Sequence, residues 1–132
     1  MPHCIVEYTD NLGEDAAIPA LLEKLAAKFR DSGGVFPTGG VRVRAIRLNE
    51  YVIADGEGND AFVNITNKIG AGRDPEFKKR FFGEMFALVK DHFQPIFSTR
   101  SFALSLYVEE ADEKGSYKEN NIHARLRSQK TP

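Results

Sequence analysis

The stretch AFVNITNKIGAGRDPEFKKRFFGEMFALVKDHF, residues 61–93, carries the plan of the chain. Around Val63 to Ile69 it reads as a strand, and Gly70, Ala71 and Gly72 then break the run. Asp74, Pro75 and Glu76 form a helix start: a capping oxygen, a proline whose missing N–H is not needed at the first position, and an acid at the positive end. Phe77, Phe81, Met85, Leu88 and Val89 follow at helical spacing, until Pro95 ends the run. Ser101 to Glu109 alternates, with Phe102, Leu104, Leu106 and Val108 on one face, and reads as a second strand.

The same grammar stands earlier in the chain. Cys4 to Thr9 reads as a short buried strand, punctuated by Asp10, Asn11 and Gly13. Ile18, Leu21, Leu22, Leu25, Ala26 and Phe29 then form one helical stripe, with Glu14 and Asp15 expected at its positive end and Pro19 tolerable in the first turn. Ser32, Gly33 and Gly34 stop that helix, and after a turn over Phe36 to Gly40 the run Val41 to Leu48 reads as a strand with a hairpin partner across Asp55 to Asp60. Val6, Thr9, Leu12 and Gly13 match Val63, Thr66, Ile69 and Gly70 at an offset of 57, and Arg42 matches Arg100 at 58.

A tandem βαβ repeat predicts an α+β fold: one four-stranded mixed sheet with both helices on one face, because right-handed crossovers place them on the same side. One domain is expected over residues 1–132, with pseudo-repeats over about 2–58 and 59–110 and a C-terminal arm over 111–132. Nothing remains to form a third layer, and Cys4 to Tyr8 is apolar on both sides. The bare face of the sheet is therefore expected to pack on another subunit. The arm is mostly polar, but Asn120, Asn121, Ile122, His123 and Ala124 look too specific for disorder and suit an interface arm.

Composition narrows the partners. The net charge is −1 with 28% charged residues and no long single-sign run, so neither nucleic acid nor membrane is expected as a partner. The lone cysteine, Cys4, excludes an internal disulfide and suits a reducing cytosol, and the opening residues do not read as an export signal. A cytoplasmic location is expected. The three histidines lack metal-ligand spacing, so no metal is expected.

Pro2 is the first candidate for chemistry. Loss of Met1 would leave it a free secondary amine in a rigid ring, and nearby positive charge would bring that amine towards neutrality, where a general base works best. Taken alone, a proline at position two is also what an inert start peptide looks like. Arg42 and Arg44 lie two apart on a strand and share a face, which is either solvated or turned to a charged cavity, whereas Arg47 points the other way. Arg73 is delivered by the Gly70–Gly72 loop to the start of the second helix, where free N–H groups and a guanidinium together suit an anion, with Gly72 allowing close approach. A plain turn before a helix would look the same.

Together Pro2, the duplicated βαβ unit, and the segments FPTGGVRVR (36–44), IGAGR (69–73) and ENNIHARL (119–126) resemble the 5-carboxymethyl-2-hydroxymuconate isomerase family of the tautomerase superfamily. PHCIVEYTDN (2–11), the ADG and AFV pieces, GEM, HF and ALS follow in the family's order, with departures near Asp31 to Gly34 and after Leu126. The resemblance implies a homotrimer and a cofactor-free isomerase of aromatic catabolism acting on a small polycarboxylate. It further implies Pro2 as the catalytic base and Arg42 and Arg73 as active-site arginines; Arg44, on the face of Arg42, and Gly72, in the loop before Arg73, are expected as further substrate contacts. Two other readings stay open: a tautomerase of a simpler enol acid such as phenylenolpyruvate, and a non-enzymatic trimeric binding protein. His3 is expected to be partly exposed, His92 to complement the helix dipole as a cation, and Cys4 to be inert core. Tyr8, Phe36 and Tyr117 could wall a pocket, but core packing is the expected role for each.

Overall fold

In a computed structural model the described residues are 1–130. Four strands and two long helices follow in the order β1 (His3–Thr9), α1 (Ile18–Arg30), β2 (Arg42–Leu48), β3 (Ala61–Gly70), α2 (Pro75–His92), a single turn α3 (Gln94–Phe97) and β4 (Phe102–Ala111). The chain then forms α4 (Ile122–Lys130). The sheet order is β2-β1-β3-β4, with β1 parallel to β2, antiparallel to β3, and β3 parallel to β4. This is the mixed four-stranded sheet that the repeat predicts.

One expected pairing differs. β2 has no hairpin partner; the strand that follows Asp60 crosses to the far side of β1 and pairs there, so the two first strands of the repeat form the centre of the sheet. The physical reason lies in burial. β1 and β3 carry the alternating rows Cys4, Val6 and Ala61, Val63, Ile65, Ile69, all buried beneath the helices, and the centre of the sheet is where such rows lose most water contact.

Both helices lie on that face. Leu21, Leu25 and Phe29 of α1 and Phe81, Phe82, Met85 and Val89 of α2 are buried, and Phe29 meets Phe81 at 5.5 Å between ring centroids. α2 starts as read, with the Asp74 carboxylate accepting from the Phe77 N–H at 3.2 Å. α1 does not. Glu14 and Asp15 fall in a 3-10 turn over Asp10–Ala16, and the helix begins after Ala17, a non-glycine residue held at φ 46° with no side-chain cap. The turn closes instead through its own backbone, the Ala17 N–H donating to the Glu14 carbonyl at 2.9 Å.

Among the described residues nothing covers the other sheet face. It presents Ile5, Arg44, Thr66 and Lys68, together with Ile46 and Tyr107, which are 45% and 60% exposed. The arm turns back onto its own chain: Asn120 Nδ2 donates to the Gly39 carbonyl at 2.8 Å, and its Oδ1 accepts from the Ile122 N–H at 2.7 Å where α4 opens.

Candidate active site

The first residues of the chain lie at one end of the sheet because β1 and β2 are in register there. His3 sits opposite Arg42, and the Arg42 N–H donates to the Pro2 carbonyl at 3.2 Å. That bond holds the backbone of the proposed base beside the proposed cation. Pro2 is buried, Met1 is half-buried, and the Arg42 Nε is buried without a hydrogen-bond partner among the described residues. Arg100 Nε is unmatched in the same way, but the Arg42 side chain makes no hydrogen bond at all among the described residues and is left to receive an acceptor.

A cleft of about 500 Å³ opens on this end of the sheet. Met1, His3 and Arg42 form one side, Lys68, Ile69 and Gly70 from the end of β3 another, and Ala111 with Gly115–Glu119 of the arm a third. Its charge is positive where the chain begins. The Met1 ammonium is pushed below its ordinary value, first by desolvation and then by Lys118, Arg73 and Arg42. His3 is likewise held down by burial, then by Arg42, Arg44, the chain terminus and Lys68. Its Nδ1 accepts from Arg44 Nη1 at 3.0 Å, which fits a neutral ring.

Arg73 reaches the site through the aromatic core. Phe29, Phe36 and Phe81 pack with centroids 5.1 to 5.5 Å apart, and the Arg73 guanidinium stacks on Phe36 at 4.3 Å. Its two terminal nitrogens donate to the Gly70 carbonyl at 3.0 Å and the Val35 carbonyl at 3.3 Å. The guanidinium is thus fixed in place, with its charge felt at the chain terminus, rather than swung into the cleft. Gly72 adopts φ 102°, a conformation that favours glycine, and is exposed outside the cleft wall, which Gly70 forms instead.

The cluster therefore brings together Pro2, Arg42 and the field of Arg73, and turns Arg44 towards His3. Lys68 and Lys118 join it from places that sequence periodicity does not single out. Tyr117 corrects the expectation of core packing: it is 93% exposed and lines the cleft, because the arm that carries it never enters the core. Phe36 is core, and Tyr8 packs against the core from its edge. His92, at the end of α2, meets the Ala16 carbonyl at 2.8 Å through one ring nitrogen and the Lys24 ammonium at 2.9 Å through the other. Burial pushes the Cys4 thiol up to about 12, consistent with an unreactive core residue.

The same frame, two βαβ units sharing one sheet, recurs in the solved structure titled "Q0 fused 4-OT wild type symmetric trimer". The TM-score is 0.66 over 92% of this chain and 98% of that one, at 18% identity, a likeness of fold alone that defines the fold class. A sequence model of 5-carboxymethyl-2-hydroxymuconate isomerases matches residues 2–126. The 5-carboxymethyl-2-hydroxymuconate Delta-isomerase of Escherichia coli is 39% identical over 124 residues, covering 94% of this chain and 98% of its own. The crystal structure of a 5-carboxymethyl-2-hydroxymuconate isomerase from Deinococcus radiodurans R1 is 47% identical, with a TM-score of 0.91 over 96% of this chain and 94% of that one. The chain belongs to the 5-carboxymethyl-2-hydroxymuconate isomerase family.

Proposed function

We propose that the chain converts 5-carboxymethyl-2-hydroxymuconate to its 2-oxo-3-ene isomer by a 1,3-proton shift, without a cofactor, with Pro2 as the base once Met1 is removed. The observation that carries this reading is geometric: Pro2 is buried beside a cleft lined by Arg42, Lys68 and Lys118, with the Arg42 N–H donating to its carbonyl. Burial first, and then Lys118, Arg73 and Arg42, push the amine at the start of the chain down, and the same surroundings would lower a proline nitrogen there. The neutral nitrogen takes a proton from the acidic C3 of the keto form and returns it to C5 as the double bond moves from C4–C5 to C3–C4, a 1,3-shift; taken from the 2-hydroxyl of the dienol instead, the proton goes to the far end of the diene and both double bonds move. No atom is gained or lost. Negative charge gathers on the conjugated oxygen in the transition state, where Arg42 stabilises it more than it stabilises bound substrate.

Arg42, Lys68 and Lys118 on the cleft, with Arg73 behind it, suit a ligand with several carboxylates better than a monoacid. Arg44 holds His3 in place, and Gly72 shapes the turn that delivers Arg73. The reaction belongs to 4-hydroxyphenylacetate breakdown through homoprotocatechuate, in the cytoplasm. A homotrimer is the assembly we infer, supported by the bare sheet face with Ile46 and Tyr107 and by the titles of the fold relatives. The test is an ultraviolet assay of 5-carboxymethyl-2-hydroxymuconate beside phenylenolpyruvate, on protein whose intact mass lacks Met1. A higher kcat/KM for the triacid is expected; preference for the monoacid overturns the substrate, and turnover of neither favours a binding protein.

A further inference from the structure

Met1 occupies a fitted slot. A Cβ placed on Gly40 would lie 2.7 Å from Met1 Cγ, 3.1 Å from its Cβ and 3.2 Å from its Cα, and these are the three nearest atoms to that position. Gly40 is itself buried, so its missing side chain is space that Met1 fills. On the opposite side, Asn120 Nδ2 donates to Met1 Sδ at 3.1 Å. Sulfur is a weak acceptor, a poor match for an amide donor in a half-buried place.

The orientation of that amide is not free. Asn120 Oδ1 is committed to the Ile122 N–H at 2.7 Å, and one Nδ2 hydrogen is committed to the Gly39 carbonyl at 2.8 Å. The remaining hydrogen lies between Met1 Sδ in the slot, at 3.1 Å, and His123 Nε2, at 3.5 Å, and the slot is the nearer of the two. His123 closes the far wall, since a Cβ on Gly39 would lie 2.5 Å from its Nδ1. Gly39 and Gly40 are thus small for two different neighbours: one seats the arm, the other leaves room beside Pro2.

We infer that Asn120 is a substrate-binding residue, and that the slot left by Met1 between Gly40 and Asn120 receives an oxygen of the substrate. The inference rests on the reading that Met1 is removed and Pro2 is the base. Asn120 supplies a neutral N–H among cations, so it fixes the position of the bound oxygen without adding to the charge. The arm from Gly115 onward then completes the site of its own chain.

The test uses protein free of Met1, confirmed by intact mass. Asn120→Asp keeps the acceptor for Ile122 but replaces the donor with an oxygen, and a KM for the triacid raised at least about 10-fold is expected. Gly40→Ala adds a methyl group where only Met1 stood nearest, so it should leave Tm unchanged and raise KM; in Met1-bearing protein the same change should lower Tm. Wild-type kcat and KM in both variants overturn the inference while leaving Pro2 in its role. Should Met1-free wild type fail to turn over the triacid, the Pro2 reading falls, and Asn120 is judged by titrating propane-1,2,3-tricarboxylate against its side-chain amide NMR signals. Signals shifted at saturation uphold the inference, and unmoved ones overturn it.

Discussion

The two βαβ halves build the same kind of corner at opposite ends of the sheet, and among the described residues only the first leaves its arginine's terminal nitrogens open. At the first, the Arg42 N–H donates to the Pro2 carbonyl, and the side-chain Nε is left without a partner among the described residues. At the second, Ala61 N–H donates to the Ser101 carbonyl, and the matching Arg100, whose Nε is likewise without a partner, gives its two terminal nitrogens to the carbonyls of Asn11 at 3.0 Å and Asn59 at 2.7 Å. Asn11 also donates to the Asp60 carbonyl, and Tyr51 to Asp10, so the loop before β3 is tied down beside Arg100. Duplication supplies two arginine corners, but a chain has one amino terminus. Where the strand continues from a preceding peptide, the nitrogen is an amide with no basicity, and the arginine serves the fold instead.

The largest effect should come from closing the open corner. Protein retaining Met1, or carrying Pro2→Ala, should lose roughly 10²- to 10⁴-fold in kcat with an unchanged Tm, since a general base contributes that much. Wild-type turnover in the methionine-bearing form would break the comparison outright. Next come the arginines. Arg42→Ala should cost roughly 10- to 100-fold in kcat/KM on the scale of a charged hydrogen bond, with little change in Tm. Arg100→Ala should do the reverse: a Tm lower by about 5 to 10 °C as two carbonyls lose their donors, and an unchanged kcat/KM per folded molecule. Equal kinetic losses in both variants would show that the corners are not specialised.

The smallest effect is on pH dependence. Positive neighbours disfavour protonation of the terminal amine, so the acid limb of kcat/KM should lie below the ordinary α-amino value of about 8. Removing one cation should raise it. Lys118→Gln should therefore move the limb to higher pH, measurably at low ionic strength and less at high salt, since Lys118 is exposed. A limb that stays in place would remove Lys118 from the field at Pro2.

How much of this was legible depends on distance along the chain. The Asp74–Pro75 start of α2 and the stripes of both helices are local signals, and the structure follows them. The partner of β2 was not legible, because nothing in Val41 to Leu48 states which side of β1 the next strand will take. The same holds at the site. Arg42 and Arg73 stand in short motifs, but the stacking of Arg73 on Phe36 joins residues 37 apart, and the bond from Asn120 to Gly39 spans 81. Tyr117 and Lys118 lie in a polar arm without periodicity, so only the folded chain places them on the cleft.

The wedging of Met1 between Gly40 and Asn120 also sets an order of events in synthesis. With the arm closed Met1 is half-buried beside Gly40 and the Asn120 amide, so trimming should run faster on the chain before the arm folds than after. Folded protein that kept its methionine should resist later trimming, whereas the same material denatured and refolded with the peptidase present should lose it, as intact mass would record.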